Sequence, residues 1–407
     1  MNAKRLTLLV AAALSVTGCG ATASVLHSGR PTSTGAGAEK DAVTLANATA
    51  APAATAPPVA TTPPPPRPPS VIVVADESHA PGATFEVALV TSKGVVLAST
   101  QVPRDAQWTV GAGPRAAYWV TGGQLQSLNE HGVVTTLATV PRTESGRVVL
   151  SPDGSQWAYA TTSTDTKNIV TNGIHRGAVG QPAQLIAERT ADPLHPDADT
   201  PAQWQYYLMS WTAQGILVER QPVGGCGCGT PFDMQMTAVS TAFINPVTGI
   251  ATPLGASASC PLSGIGSDST LACFHETSTG ASDSLRFVNG THTTHQYALS
   301  GKNDGGDATF NGSRLAYATV PSTAGGCGGP DWRPQTTLHV MDIRTGDATI
   351  VGGTGLSPVA WMADGSILAT LSVARADATT SSVVAVDPAT GSLRTVFNQS
   401  FDVVGLA

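Results

Sequence analysis

Beyond Cys19, the cysteines are confined to one span of the chain: Cys226, Cys228, Cys260, Cys273 and Cys327. Two chemistries are open to them. Thiolates could hold a soft metal ion, but the Cys226-x-Cys228 spacing is not that of the usual zinc knuckle. Outside the cytoplasm they would instead pair as disulfides. Cys260 with Cys273, and either Cys226 or Cys228 with Cys327, is one workable set, although connectivity does not follow from sequence. Five is an odd number, so one thiol is left free or bonds to another chain. Elsewhere, His195-Pro196-Asp197-Ala198-Asp199 gathers an imidazole and two carboxylates, donors suited to a divalent ion, or else a solvated polar loop. His292 and His295 are three apart in a strand-like run, and alternation should turn them to opposite faces. Asp331-Trp332-Arg333 closes a Gly- and Pro-rich stretch, and an aromatic beside an arginine is the combination enriched at binding hot spots. The alternative is that Trp332 packs on its own loop. There is no P-loop, no dinucleotide fingerprint and no Gly-x-Ser-x-Gly elbow with a triad to follow it. We therefore assign no catalytic residue, no metal and no cofactor, and the chemistry on offer is recognition.

Loop residues need a scaffold, and the scaffold is written in repeats. From Val71 onward apolar and polar residues alternate in short runs, punctuated by Gly, Asn, Asp and Ser, with no long helical period. Leu150-Ser151-Pro152-Asp153-Gly154-Ser155-Gln156-Trp157-Ala158-Tyr159-Ala160 has counterparts in Phe310–Ala318, Trp361–Ala369 and Trp211–Val218. Each reads as a strand end, a tight turn needing positive φ, and a hydrophobic strand. A second hairpin recurs in Met341–Gly346, Ala385–Gly391 and Phe243–Gly249, each with an Asx and a Gly at the turn. One unit thus has four strands, a to d. Trp119, Trp157, Trp211 and Trp361 fall at repeat positions and are expected in the core.

The Ser-Pro-Asp-Gly repeat resembles that of TolB-type and WD40-like propellers, which implies an all-β fold, a single β-propeller over 71–407. Seven units can be laid along it, at about 48 residues each, near the spacing of propeller repeats. They are 71–102 (strands b to d only), 107–141, 146–189, 203–256, 262–300, 305–353 and 355–398; six or eight blades are the alternatives. The last residues, Phe401–Ala407, look like an orphan strand. Pairing them with the first unit as its missing strand a would close the ring and remove the exposed edges. The b–c and d–a loops then share one rim, with 222–231 and 321–334 as its long b–c loops, while the short repeat turns build the other rim.

The N-terminus supplies an address. Lys4 and Arg5 precede an apolar run, Leu6–Leu14, that is too short for a bilayer span of roughly 20 residues. Val16-Thr17-Gly18-Cys19 resembles a bacterial lipobox, which implies cleavage of a signal peptide, 1–18, and lipidation of Cys19. Residues 19–70 are rich in Ala, Thr and Pro and cannot bury enough apolar surface to order themselves, so they read as a spacer. The formal charge is −7 with 12% charged residues, and nothing here suggests a basic surface for nucleic acid. The expectation is an extracytoplasmic, membrane-anchored lipoprotein, at the cell surface or on a periplasmic face, whose propeller binds an envelope protein, peptide or glycan. Two alternatives stand beside it: a metal-dependent propeller hydrolase or lyase, and an accessory subunit of an envelope complex.

Overall fold

The computed structural model describes residues 71–76, 84–140, 148–166, 169–191, 204–222, 240–257, 260, 262–277, 281–324, 331–375, 379–397 and 401–406. All belong to the unit Pro65–Ala407. They form seven antiparallel four-stranded sheets. The first blade contains β1 (Val71–Asp76), β2 (Thr84–Thr91) and β3 (Val96–Pro103). The second has β4 (Gly111–Gly113), β5 (Ala116–Thr121), β6 (Gln124–Asn129) and β7 (Val134–Thr139). The third has β8 (Val148–Leu150), β9 (Gln156–Thr164), β10 (Val170–Ala178) and β11 (Gln184–Ala191), and the fourth β12 (Trp204–Thr212), β13 (Gly215–Pro222), β14 (Ser240–Ile244) and β15 (Ala251–Ser257). The fifth has β16 (Leu262–Ile265), β17 (Leu271–Glu276), β18 (Ser282–Asn289) and β19 (His292–Ala298). The sixth has β20 (Asn303–Asn311), β21 (Arg314–Pro321), β22 (Thr337–Asp342) and β23 (Ala348–Thr354). The seventh has β24 (Leu356–Trp361), β25 (Ile367–Ala374), β26 (Thr379–Val386) and β27 (Leu393–Phe397), and the last strand is β28 (Phe401–Leu406).

β28 pairs with β1, giving the order β28-β1-β2-β3, so the C-terminus supplies the innermost strand of the first blade as the repeats predict. Seven apolar clusters lie between successive blades. The one that seals the ring brings Ile72, Val74 and Val90 of the first blade against Leu368, Val383 and Ala385 of the seventh, with Phe401 beside them. Each sheet hides both faces against its neighbours, which is why its strands carry near-continuous apolar runs. Trp119 and Trp157 are fully enclosed, whereas Trp211 and Trp361 are half-buried against the edges of their clusters.

The tight turns explain the punctuation. In the third blade Asp153 accepts hydrogen bonds from the Ser155 amide (3.1 Å) and from the Ser155 and Ser151 hydroxyls. These bonds, Ser151's first, hold its carboxyl down at about 2. Asp364 takes the Ser366 amide in the same way, and Asp268 the Thr270 amide, each at 3.0 Å. On the outer hairpins Asn245, Asp342 and Asp387 each accept an amide two residues on, and Gly249, Gly346 and Gly391 close the turns. Gly249 has φ +69, and a Cβ there would lie 1.7 Å from the Ile186 carbonyl oxygen of the preceding blade, so no other residue fits.

Among the described residues no helix is long and apolar enough to cross a membrane. Cys260 and Cys273 are joined as a disulfide that ties the entry of the fifth blade to its second strand. Cys19, Cys226, Cys228 and Cys327 lie outside the described residues.

Candidate functional site

The direction of the strands places the b–c and d–a connections on one rim and the tight turns on the other. Three of the connections on the first rim are long: 192–203, 223–239 and 322–336. The first two lie outside the described residues, and with them His195, Asp197 and Asp199. The third is described in its second part. There Asp331, Trp332 and Arg333 lead into a 3-10 turn, Arg333–Gln335, with Pro334 in its first turn. The turn is docked firmly. The Thr336 hydroxyl, fully buried, donates to the Arg333 carbonyl at 2.9 Å, and the Gly355 amide donates to the Thr336 carbonyl at 2.7 Å. The Arg333 guanidinium forks onto both oxygens of Asp331, Nη2 at 2.8 Å and Nε at 3.0 and 3.1 Å. Partial burial pushes the Asp331 carboxyl up; the bonds from Arg333 and from the Thr379 hydroxyl of the seventh blade outweigh it and hold the carboxyl below its ordinary value. Asp331 is exposed, and Trp332 and Arg333 are half-buried. The result is a rigid aromatic and charged step on a rim otherwise made of loops.

His292 and His295 do not point to opposite faces as alternation predicts. His292 stands opposite Asn289 and His295 opposite Phe287, two residues that share a face of β18. The extra residue in β19 resets the parity, as a bulge does. Both histidines are exposed on this outermost strand, and among the described residues no three His, Cys, Asp or Glu side chains converge in a metal-binding group.

Two sets of residues become visible only in three dimensions. The first is a repeated stack. In the third blade Tyr159 lies on His175 with ring centroids 4.8 Å apart, and His175 Nε2 is 3.1 Å from the Thr161 hydroxyl. In the sixth blade Tyr317, His339 and Thr319 repeat it at 4.8 Å and 2.8 Å. Burial lowers both imidazoles and pushes the Tyr317 phenol up to about 12. Half-buried histidines of this kind, their charged form disfavoured, are packing elements, and their recurrence underlines the repeat.

The second set concerns the innermost strands. Asp307 is the extra residue of a bulge between Gly306 and Ala308 in β20, with φ +41. Asp307 is half-buried. That burial pushes its carboxyl up to about 6, and the Ser357 hydroxyl of β24 works weakly against the shift. Nearby Asp304 is fully buried, with the Ser282 hydroxyl 3.4 Å away.

The fold defines the class: this is a seven-bladed β-propeller. No protein-family model matches the sequence, and no curated protein matches it either. Solved structures similar in fold include an acylaminoacyl peptidase from Pyrococcus horikoshii, 8% identical with a TM-score of 0.50, over 82% of this chain and 51% of that one. Prolyl oligopeptidase B from Galerina marginata is 9% identical with a TM-score of 0.45, over 79% of this chain and 49% of that one. The WD40 domain of SCAP from fission yeast is 7% identical with a TM-score of 0.36, over 80% and 86%. The chain spans about half the length of the two peptidases. At these identities the likeness is one of fold alone.

Proposed function

We propose that this chain is an envelope lipoprotein, held to a membrane through a lipid on Cys19, whose propeller is a non-catalytic binding module. Its partner is an envelope protein, peptide or glycan, met by the rim of the long loops. The observation that carries this reading is the step formed by Asp331, Trp332 and Arg333: an ion pair and an indole fixed on a docked turn, already in place before any partner arrives. Pre-organised aromatic and arginine side chains lower the ordering cost of association. The lipobox-like Val16-Thr17-Gly18-Cys19 supports the anchor and the extracytoplasmic address. The Ser-Pro-Asp-Gly turn supports kinship with TolB-type repeats.

The test is affinity capture of envelope components with the full chain, beside Trp332→Ala and a control on the opposite rim, Val247→Ala, an exposed turn residue. A component held by the native chain and the control but lost with Trp332→Ala is the expected result. Equal capture by all three refutes the site. Mass spectrometry of the chain from membranes should find a diacylglyceryl group on Cys19, and an unmodified N-terminus elsewhere refutes the anchor.

A further inference from the structure

We propose that the groove between the third and fourth blades is an oxyanion-binding site, in which Arg189 and Arg220 take a carboxylate or phosphate group of a ligand. The site lies on the same rim as Trp332 but between the third and fourth blades rather than on the sixth, and it stands independently of the partner proposed there.

Three strands build it. Tyr206 of β12 stands directly opposite Arg220 of β13, and Arg189 of β11 directly opposite Asn172 of β10. Asn172 crosses the groove and donates from Nδ2 to the Trp204 carbonyl at 2.7 Å, which locks the two blades together at this height. Trp204 and Tyr206 are buried in the cluster between the blades and pack edge to face, 5.0 Å between centroids. Arg220 lies over the Trp204 ring, 4.7 Å from its centroid, so a cation–π contact fixes the half-buried guanidinium. Arg220 shares a sheet face with Tyr206, and Arg189 shares one with Asn172, so the two guanidiniums are carried on faces turned towards each other. Burial raises the Tyr206 phenol, and Arg220 and then Arg189 pull it back.

Two like charges have thus been brought onto one hydroxyl in a chain whose formal charge is −7. Among the described residues no carboxylate lies within ion-pair distance of either. The acidic neighbours in sequence, Glu188 and Glu219, stand next to them in their strands and so turn to the other faces. Glu188 acts on His175, and Glu219 accepts from Gln221 Nε2 at 3.1 Å. Two guanidiniums held close together repel one another, and a bound oxyanion offsets that repulsion. Their planar forks match the two or three oxygens of a carboxylate or phosphate, and the Tyr206 hydroxyl adds a third donor. Arg220 is half-buried over the indole, and Arg189 is exposed.

The test follows the arginine Nε–Hε resonances of the full chain by NMR during titration with acetate and, separately, inorganic phosphate at constant ionic strength. Saturable shifts at Arg189 and Arg220 are expected, and whichever probe saturates them identifies the group as carboxylate or phosphate. Loss of a charge-assisted bond in Arg220→Gln should weaken binding about tenfold or more, with partial recovery in Arg220→Lys. Arg189→Gln, a change on an exposed side chain that leaves the core untouched, should weaken it likewise. Trp332→Ala should leave the shifts unchanged, which separates this site from the partner surface proposed above. Shifts that never saturate with either probe, or that persist at native strength in Arg189→Gln, overturn the proposal.

Discussion

Replacing Asp307 with Asn should stabilise the propeller at neutral pH and do nothing in acid. The folded protein keeps a proton on this carboxyl up to about pH 6, whereas a carboxyl of ordinary value, 3.8, has released it well before. Between these limits the folded state binds more protons than the unfolded one, so stability falls as pH rises from about 4 to about 6 and stays low above. A displacement from 3.8 to about 6 corresponds to about 3 kcal/mol, and the partial exposure of the residue reduces that figure. Asn keeps the shape and a hydrogen-bond acceptor for the Ser357 hydroxyl, and it tolerates a positive φ better than most residues. For a domain of this size about 3 kcal/mol corresponds to a rise in Tm on the order of 4 °C. The assay is chemical unfolding of native protein and Asp307→Asn in parallel from pH 3.5 to 8. The difference between them should be near zero at the acid end and grow through pH 4–6 to its plateau. Exposed carboxylates such as Asp153, whose low values make the fold less stable in acid, are shared by both proteins and cancel. A difference that is flat with pH, or a variant less stable than the native chain at pH 7.5, refutes the assignment of Asp307 as a carboxyl that holds its proton up to about pH 6.

Ending the chain at Ser400 removes β28 and with it the buried Phe401, so the first blade loses its inner strand and thermal unfolding should drop by many degrees; an unchanged Tm would mean that the ring does not close through this strand. Cys260→Ser with Cys273→Ser opens a loop of sequence separation 13 and should cost about 3 kcal/mol of stability on the chain-entropy account, read by denaturant titration. Ser269 holds φ +67 at the turn position where the third and seventh blades have Gly154 and Gly365, so Ser269→Gly should relieve strain and stabilise by up to about 1 kcal/mol. In an NMR titration His339 and His175 should both take up their protons below the ordinary histidine value of 6.5, because burial disfavours the imidazolium; a normal titration would show the Tyr–His–Thr stacks to be open to water.

How much of this could be read in the chain depends on whether the information is local. Blade number is local: an Asx, a residue at positive φ and a Ser or Thr recur at several of the turns, because a tight hairpin is demanding of its residues. The fifth blade matches the template least well, yet Asp268-Ser269-Thr270 makes the same turn, with a serine taking the glycine's conformation and so hiding the signature. His292 and His295 fail for a different reason. Period-two alternation holds only while a strand has no bulge, and the extra residue in β19 is invisible to a rule that counts residues. Asp307 sits in Asp304-Gly305-Gly306-Asp307, which reads as a turn, but the ring supplies enough neighbours to keep it extended and bulged inside a strand. The groove of Arg189, Tyr206 and Arg220 is the extreme case. Its residues come from two blades, and nothing about an arginine at the end of one strand announces a second arginine across the gap. What joins them is the stacking of sheet on sheet, fixed by Val170, Ile174, Leu208 and Ile216 in the shared cluster. Propellers repeat their turns and vary their rims, so the repeated residues disclose the architecture while the recognition proposed above falls to residues that occur once.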